Sequence, residues 1–225
     1  MQDQIKILLV DDHQLIIEGI QSLLKGIENL NIETTNSCDK ALTMLKTASL
    51  DDPFQIVFTD LSFDDTTENS VLKGGEDLIK AIKKEELDVK VGVITGHFET
   101  NRIYNVVQNL NPSAYILKGK CSVSELRFAI EKILKGETFY THEIHQKLLK
   151  RTLIEIQMDE VALQILKELP NHPKISNLEG VITKEDGGLV KIRTIENKLA
   201  KLRVDLNANN NTDLVLKAKE LGVLD

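Results

Sequence analysis

Between Ile5 and Leu134 the chain alternates two kinds of apolar pattern. Short runs at Ile5 to Val10, 31–36, 54–59, Val89 to Thr95 and Ala114 to Leu117 are brief and mostly β-branched or aromatic, as buried strands are. Between and after them, apolar residues recur at helical spacing: Leu15, Ile16, Ile17, Ile20, Leu23 and Leu24, then residues 39–48, then Leu78, Ile79 and Ile82, then 98–109, then 122–135. Five such alternations predict an α/β domain whose parallel sheet is covered on both faces. After Gly136 the strand pattern stops. Helical patterns follow at about 143–155, 158–169, 174–182, 191–205 and 211–222, which predicts an all-helical second domain.

The expected organisation is therefore an α/β domain over 1–135, a linker over 136–143 and a helical domain over 144–225. The 225 residues, 41% of them apolar, suffice for two cores. No apolar run approaches bilayer length and no signal-peptide pattern precedes the first strand, so a cytoplasmic protein is expected. Cys38 and Cys121 lack metal spacing and read as reduced thiols. The formal charge is −7, divided as 17 Lys and Arg against 23 Asp and Glu over 1–150, and 11 against 12 over 151–225. Neither half is a strongly basic nucleic-acid module by charge alone.

The strand ends carry the chemistry. Asp11 and Asp12 follow the first strand, Asp60 the third; Thr95 ends the fourth, and Lys118 follows the fifth. Open α/β sheets bind ligands outside the carboxyl ends of their strands, so these side chains are expected in one cleft. Packed carboxylates repel one another, and a hard divalent cation with oxygen ligands relieves this; Mg²⁺ suits an open site that keeps several waters. Carboxylates, Mg²⁺, lysine and hydroxyl together suit a phosphoryl group, with Asp60 as the nucleophile that becomes an aspartyl phosphate. Each residue alone has a plainer reading: an Asp at a strand end as a turn or helix cap, Lys118 as a loop charge, Thr95 as a turn residue. The joint placement at successive strand ends favours the site.

Ile7-Leu8-Leu9-Val10-Asp11-Asp12-His13, Val57-Phe58-Thr59-Asp60, Val93-Ile94-Thr95-Gly96-His97 and Ala114-Tyr115-Ile116-Leu117-Lys118-Gly119 resemble, in order and combination, the receiver domain of bacterial two-component response regulators. The resemblance implies a flavodoxin-like doubly wound (βα)5 fold and phosphoryl transfer to Asp60 from a phosphohistidine on a sensor histidine kinase. It implies Mg²⁺ bound by Asp12, Asp60 and the backbone carbonyl of Ser62, with Asp11 orienting the ion. It also implies a switch pair, Thr95 and Tyr115, in a phosphoprotein that is an acceptor with at most slow self-dephosphorylation, not an enzyme. The chain departs from the family after Asp60. In place of a short loop with a proline it has a polar stretch from Ser62 to Lys73, followed by Gly74-Gly75.

In the helical half, Ile192, Ile195, Leu199, Leu202 and Leu206 form one apolar stripe. The rest of that helix carries Arg193, Thr194, Asn197, Lys198, Lys201 and Arg203, either a solvated charged face or a face that enters a DNA major groove. Gly136 to Thr141, Thr194 to Leu206 and Thr212 to Leu224 resemble the linker, recognition helix and final helix of the LuxR/NarL helix-turn-helix class. That resemblance implies double-stranded DNA as a partner, control of transcription, and a homodimer on phosphorylation. Glu196, Asp205 and Asn211 stand where the class commonly has basic residues, and acids there oppose phosphate contacts. The turn before the recognition helix is extended through Thr183 to Gly188. Two other readings stay open: a phosphorylation-controlled adaptor whose helical domain binds protein, and a Mg²⁺-dependent aspartate-nucleophile phosphatase, disfavoured because Ser62 stands where such enzymes place a second Asp. His142 and His145 share a helix face without a third metal ligand and read as solvated.

Overall fold

A computed structural model describes residues 4–64 and 70–224, apart from the side chains of 155–157. Residues 65–69 of the expected polar loop lie outside the described residues. The chain divides into two compact units, Met1–Phe98 with Asn105–His145, and Glu99–Tyr104 with Gln146–Asp225.

The first unit is built on a parallel sheet of six strands in the order β2-β1-β3-β4-β5-β6. The strands are β1 (Ile5–Val10), β2 (Leu30–Thr35), β3 (Ile56–Thr59), β4 (Lys90–Thr95), β5 (Ala114–Leu117) and β6 (Phe139–Tyr140). Between them run α1 (Gln14–Leu24), α2 (Cys38–Thr47), α3 (Gly75–Lys84), α4 (Thr100–Leu110) and α5 (Val123–Leu134). Ile7, Leu9, Ile56 and Phe58 form one core with Ile17, Ile20 and Leu24 of α1 and Leu126, Ala129, Ile130 and Ile133 of α5. Leu8, Val10, Val57 and Val93 have the opposite parity and are equally buried, so the sheet has no solvent face. This explains why the central strands read as continuous apolar runs.

The sixth strand corrects the expectation of five strands followed by a strandless linker. Phe139 and Tyr140 pair parallel to β5, with the Phe139 and Thr141 N–H groups donating to the Ser113 and Tyr115 carbonyls at 2.9 and 3.1 Å. Two residues are too few to show a strand period.

Two glycine positions shape the sheet and its loops. Gly92 of β4 lies in register with Phe58, and a Cβ there would meet the Phe58 ring at 2.4 Å. Gly75 lies so close to β3 that a Cβ would fall 1.8 Å from the Asp60 carbonyl oxygen. The Gly74-Gly75 pair lets α3 begin directly behind the residue at the end of β3.

The second unit contains most of α6 (His142–Gln157), α7 (Glu160–Glu168), α8 (Ile192–Asp205) and α9 (Asn211–Glu220). The helix expected at 174–182 is a shorter 3-10 helix, Ile175–Gly180. The extended turn after it folds back on itself: Thr183 and Leu189 form an antiparallel bridge, and the Glu179 carboxylate accepts the Ile192 N–H at the start of α8. Ile195, Leu199, Leu202 and Leu206 are buried against Ile165, Leu166, Leu178, Leu214 and Ala218. The apolar stripe of α8 thus faces this core. Each such leucine contributes about 1.5–3 kcal/mol of burial. Asp159 caps α7 by accepting the Ala162 N–H, and Asn210 caps α9 by accepting the Asp213 N–H.

Candidate functional site

The sheet order reverses between β1 and β3, and such a reversal opens a crevice at the strands' carboxyl ends. Asp11 follows β1 and Asp60 follows β3. Both are buried, at 1% and 6% exposure, so each carboxylate depends on protein partners.

Lys118, just past β5, supplies the main one. Its ammonium lies 2.7 Å from Asp11 Oδ2 and 2.8 Å from Asp60 Oδ2. The remaining oxygens accept from nearby groups. Asp11 Oδ1 takes the His13 N–H at 3.0 Å and Asp60 Oδ1 the Leu61 N–H at 2.6 Å. Asp12 Oδ1 lies 2.8 Å from His13 Nδ1, and Asp12 Oδ2 accepts the Asp64 N–H at 2.6 Å. Every carboxylate oxygen of the three aspartates therefore has a partner within the chain.

The electrostatics follow from this packing. Burial pushes the Asp11 carboxyl up from its ordinary value, against the Lys118 hydrogen bond that pulls it down. Burial also disfavours the Lys118 charge, but the hydrogen bonds to Asp11 and Asp60 outweigh it and hold the ammonium above its ordinary value. The hydrogen bond to Asp12 raises the His13 imidazole. Burial pushes the Cys38 and Cys121 thiols up to about 12 and about 11, which leaves them protonated and unreactive near neutrality.

Asp11, Asp12 and His13 form the group, among the described residues, whose ligand atoms lie within 4.8 Å of one another. Asp60, expected among the ligands, is not in this group; its Oδ2 shares the Lys118 ammonium with Asp11 Oδ2. The carboxylates suit a hard divalent cation. His13 joins the cluster without having been singled out in the sequence; its only signal was adjacency to Asp11 and Asp12. Thr95 is fully buried, and its Oγ1 accepts the His97 N–H at 3.3 Å. His97 Nε2 in turn lies 2.7 Å from Ser62 Oγ, so a hydrogen-bonded path links the ends of β4 and β3. Tyr115, in register with Val93, is fully buried within β5.

On α8, Arg193, Thr194, Asn197 and Lys201 are exposed, as are Glu196 and Asp205. Arg203 is half-buried. Lys198 is drawn into an ion pair with Asp159 at the start of α7, which removes it from the free basic residues of this helix.

A carboxylate beside a fixed ammonium, in an acidic crevice at the switch point of a flavodoxin-like sheet, defines a receiver-type domain. Residues 7–131 match the family described as the response regulator receiver domain, and the chain belongs to that family. Over 224 residues it is 25% identical to the response regulator protein VraR of Staphylococcus epidermidis, covering 95% of this chain and 96% of that protein. Its fold is similar to that of the RcsB response regulator of Salmonella typhimurium, with a TM-score of 0.64 and 18% identity over 96% of this chain and 98% of that one. It is also similar to RcsB in a structure of two dimers bound to two parallel DNAs, with a TM-score of 0.62 and 19% identity over 97% and 99% of the two chains. The likeness therefore spans both units. Among the described residues no helix is long and apolar enough to cross a membrane.

Proposed function

We propose that this response regulator accepts a phosphoryl group on Asp60 from a phosphohistidine of a sensor histidine kinase and, in response, controls transcription through its helical unit. The observation that carries this reading is the Asp60–Lys118 pair, which holds a nucleophilic carboxylate and a fixed positive charge in one crevice. An Asp60 oxygen attacks phosphorus, the phosphorus–nitrogen bond of the donor breaks, and its electron pair returns to the imidazole. Lys118 then turns from the carboxylate to a phosphoryl oxygen, where its charge offsets the negative charge that has moved there. Asp11, Asp12, Asp60 and the Ser62 carbonyl would hold Mg²⁺, whose chemistry is to neutralise the phosphoryl oxygens and align the displacement. The Thr95 hydroxyl reorients towards the new phosphoryl group, and the buried Tyr115 ring registers that movement in the sheet. The protein is thus a signalling acceptor, not a steady-turnover enzyme, and its place of action is the cytoplasm.

The helical unit is assigned to double-stranded DNA. Arg193, Thr194, Asn197 and Lys201 lie on exposed positions of α8, with Arg203 half-buried beside them. The arginines and lysine suit phosphates, and Asn197 suits a base edge. Phosphorylation favours a homodimer, which places two copies of α8 on paired half-sites. A second reading, an adaptor that binds protein, is favoured by the loss of Lys198 to Asp159 and by Glu196 and Asp205 on the same helix. Fluorescence anisotropy with mixed genomic fragments, at low and moderate salt, separates the two. Salt-sensitive binding by the full chain, strengthened by an aspartyl-phosphate mimic, supports the DNA reading. Absence of binding at low salt turns the assignment to the adaptor.

A further inference from the structure

The strand that follows α5 joins the buried Tyr115 to the first turn of α6. Gly136, at φ +75°, closes α5 and turns the chain towards the sheet. Phe139 and Tyr140 then pair with Ala114 and Tyr115. The Phe139 N–H donates to the Ser113 carbonyl at 2.9 Å, and the Tyr140 hydroxyl donates to the Pro112 carbonyl at 3.2 Å. The Phe139 ring lies edge-on to Phe128 of α5, with centroids 5.7 Å apart. Thr141 holds both sides of the connection: its N–H donates to the Tyr115 carbonyl at 3.1 Å, and its carbonyl accepts the His145 N–H at 3.0 Å. One residue thus ties β5 to the start of a helix that continues into the second unit.

The same residue carries a standing cost. Thr141 is 4% exposed, and among the described residues its hydroxyl has no hydrogen-bond partner. A threonine at a helix start commonly caps the first turn with this oxygen; here the oxygen is enclosed instead. An unpaired buried hydroxyl destabilises the docked strand, and it regains water when the strand leaves.

We propose that β6 is a releasable latch: movement at Tyr115 breaks the pairing of β6 with β5 and so frees the first turn of α6 from the sheet. This rests on the reading of Asp60 as the phosphoryl acceptor and of Tyr115 as the residue that registers the transfer. Tyr115 and Tyr140 are in register, so their side chains stand on one face of the sheet, neighbours at the strand spacing of about 4.8 Å. Tyr115 is fully buried, and a close-packed interior passes a ring movement to whatever touches it. The Tyr115 carbonyl is itself the acceptor for Thr141. A strand of two residues opens far more readily than the six-residue β1, so β6 can leave while the sheet stays folded.

The test is amide hydrogen exchange at Phe139 and Thr141, read by NMR on the full chain with Mg²⁺, with and without beryllofluoride as the aspartyl-phosphate mimic. Both amides are expected to be protected in the free protein and to exchange roughly tenfold faster with the mimic bound, while the β1 amides keep their protection. Thr141→Val removes the unpaired hydroxyl and keeps the shape, and is expected to slow exchange of both amides roughly fivefold in either state. Thr141→Ser keeps the hydroxyl and is expected to give no such slowing. Tyr140→Phe removes the bond to the Pro112 carbonyl and is expected to speed exchange roughly fivefold. Circular dichroism checks that each variant folds, and the free and mimic-bound parent decide the coupling without any variant. Bound beryllofluoride is followed by its fluorine NMR signal. Binding with unchanged protection at Phe139 and Thr141 would overturn the latch and leave the phosphoryl site standing. No bound signal in the parent would sink the Asp60 reading and the coupling with it. Exchange in Thr141→Val as fast as in the parent would also overturn the proposal, because the enclosed hydroxyl would then cost nothing.

Discussion

Lys118 and Asp60, 58 positions apart in the chain, meet at 2.8 Å at the carboxyl edge of the sheet. The contact exists because β3 and β5 end on the same edge of a parallel sheet, where Lys118 bridges the buried carboxylates of Asp11 and Asp60. Lys118→Ala leaves Asp11 and Asp60 facing each other without a counter-charge. The expected cost is about 3 kcal/mol in the absence of divalent cations, with part of it recovered when Mg²⁺ is added. Thermal unfolding with chelator and with Mg²⁺ measures this; a variant as stable as the parent in chelator would contradict the counter-ion role.

The same ammonium sets a limit at high pH. Its folded value lies above the ordinary 10.5, so its contribution is fully present below 10.5 and is lost as pH rises through the folded value. Stability measured by denaturant titration is expected to show an alkaline fall that shrinks in Lys118→Ala.

Gly75→Ala tests how the helix behind the site places Asp60. The added Cβ would lie 1.8 Å from the Asp60 carbonyl oxygen, so the backbone must move. A destabilisation of about 2–3 kcal/mol is expected, with phosphoryl uptake falling alongside. Gly119→Ala, where a Cβ meets nothing within 4 Å, is the matched control and is expected to be nearly neutral.

Asp159 does two jobs in the helical unit, capping α7 with Oδ1 and holding Lys198 with Oδ2. Asp159→Ala is expected to cost about 1 kcal/mol as a lost cap. It also releases Lys198, so DNA binding should gain salt sensitivity by about one phosphate contact. The hydrogen bond from Lys198 holds the Asp159 carboxyl below its ordinary 3.8, so its stabilisation is present above 3.8 and is lost as pH falls through the lower folded value. Acid unfolding of the variant should lack that component.

Much of this architecture was legible in the residues. Strands buried on both faces announce themselves as apolar runs, and Asp11, Asp60 and Lys118 were readable because each marks the end of one. What was not legible is either too short or made by the main chain. Phe139 and Tyr140 are two residues, below the length at which a strand period shows. Residues 175–180 carry a helical spacing that a 3-10 helix satisfies as well. The Asp64 contact uses an amide that every residue but proline possesses, and the Lys198–Asp159 pair joins positions 39 apart on different helices. Neither leaves a side-chain pattern to read.

The most direct test of the site is phosphoryl uptake from a small-molecule phosphodonor, followed by intact mass. The unaltered chain should gain one phosphoryl group in the presence of Mg²⁺ and not in chelator, and Asp60→Asn should gain none. Uptake retained by Asp60→Asn, or uptake indifferent to divalent cations, would contradict the assignment of Asp60 and of the aspartates around it.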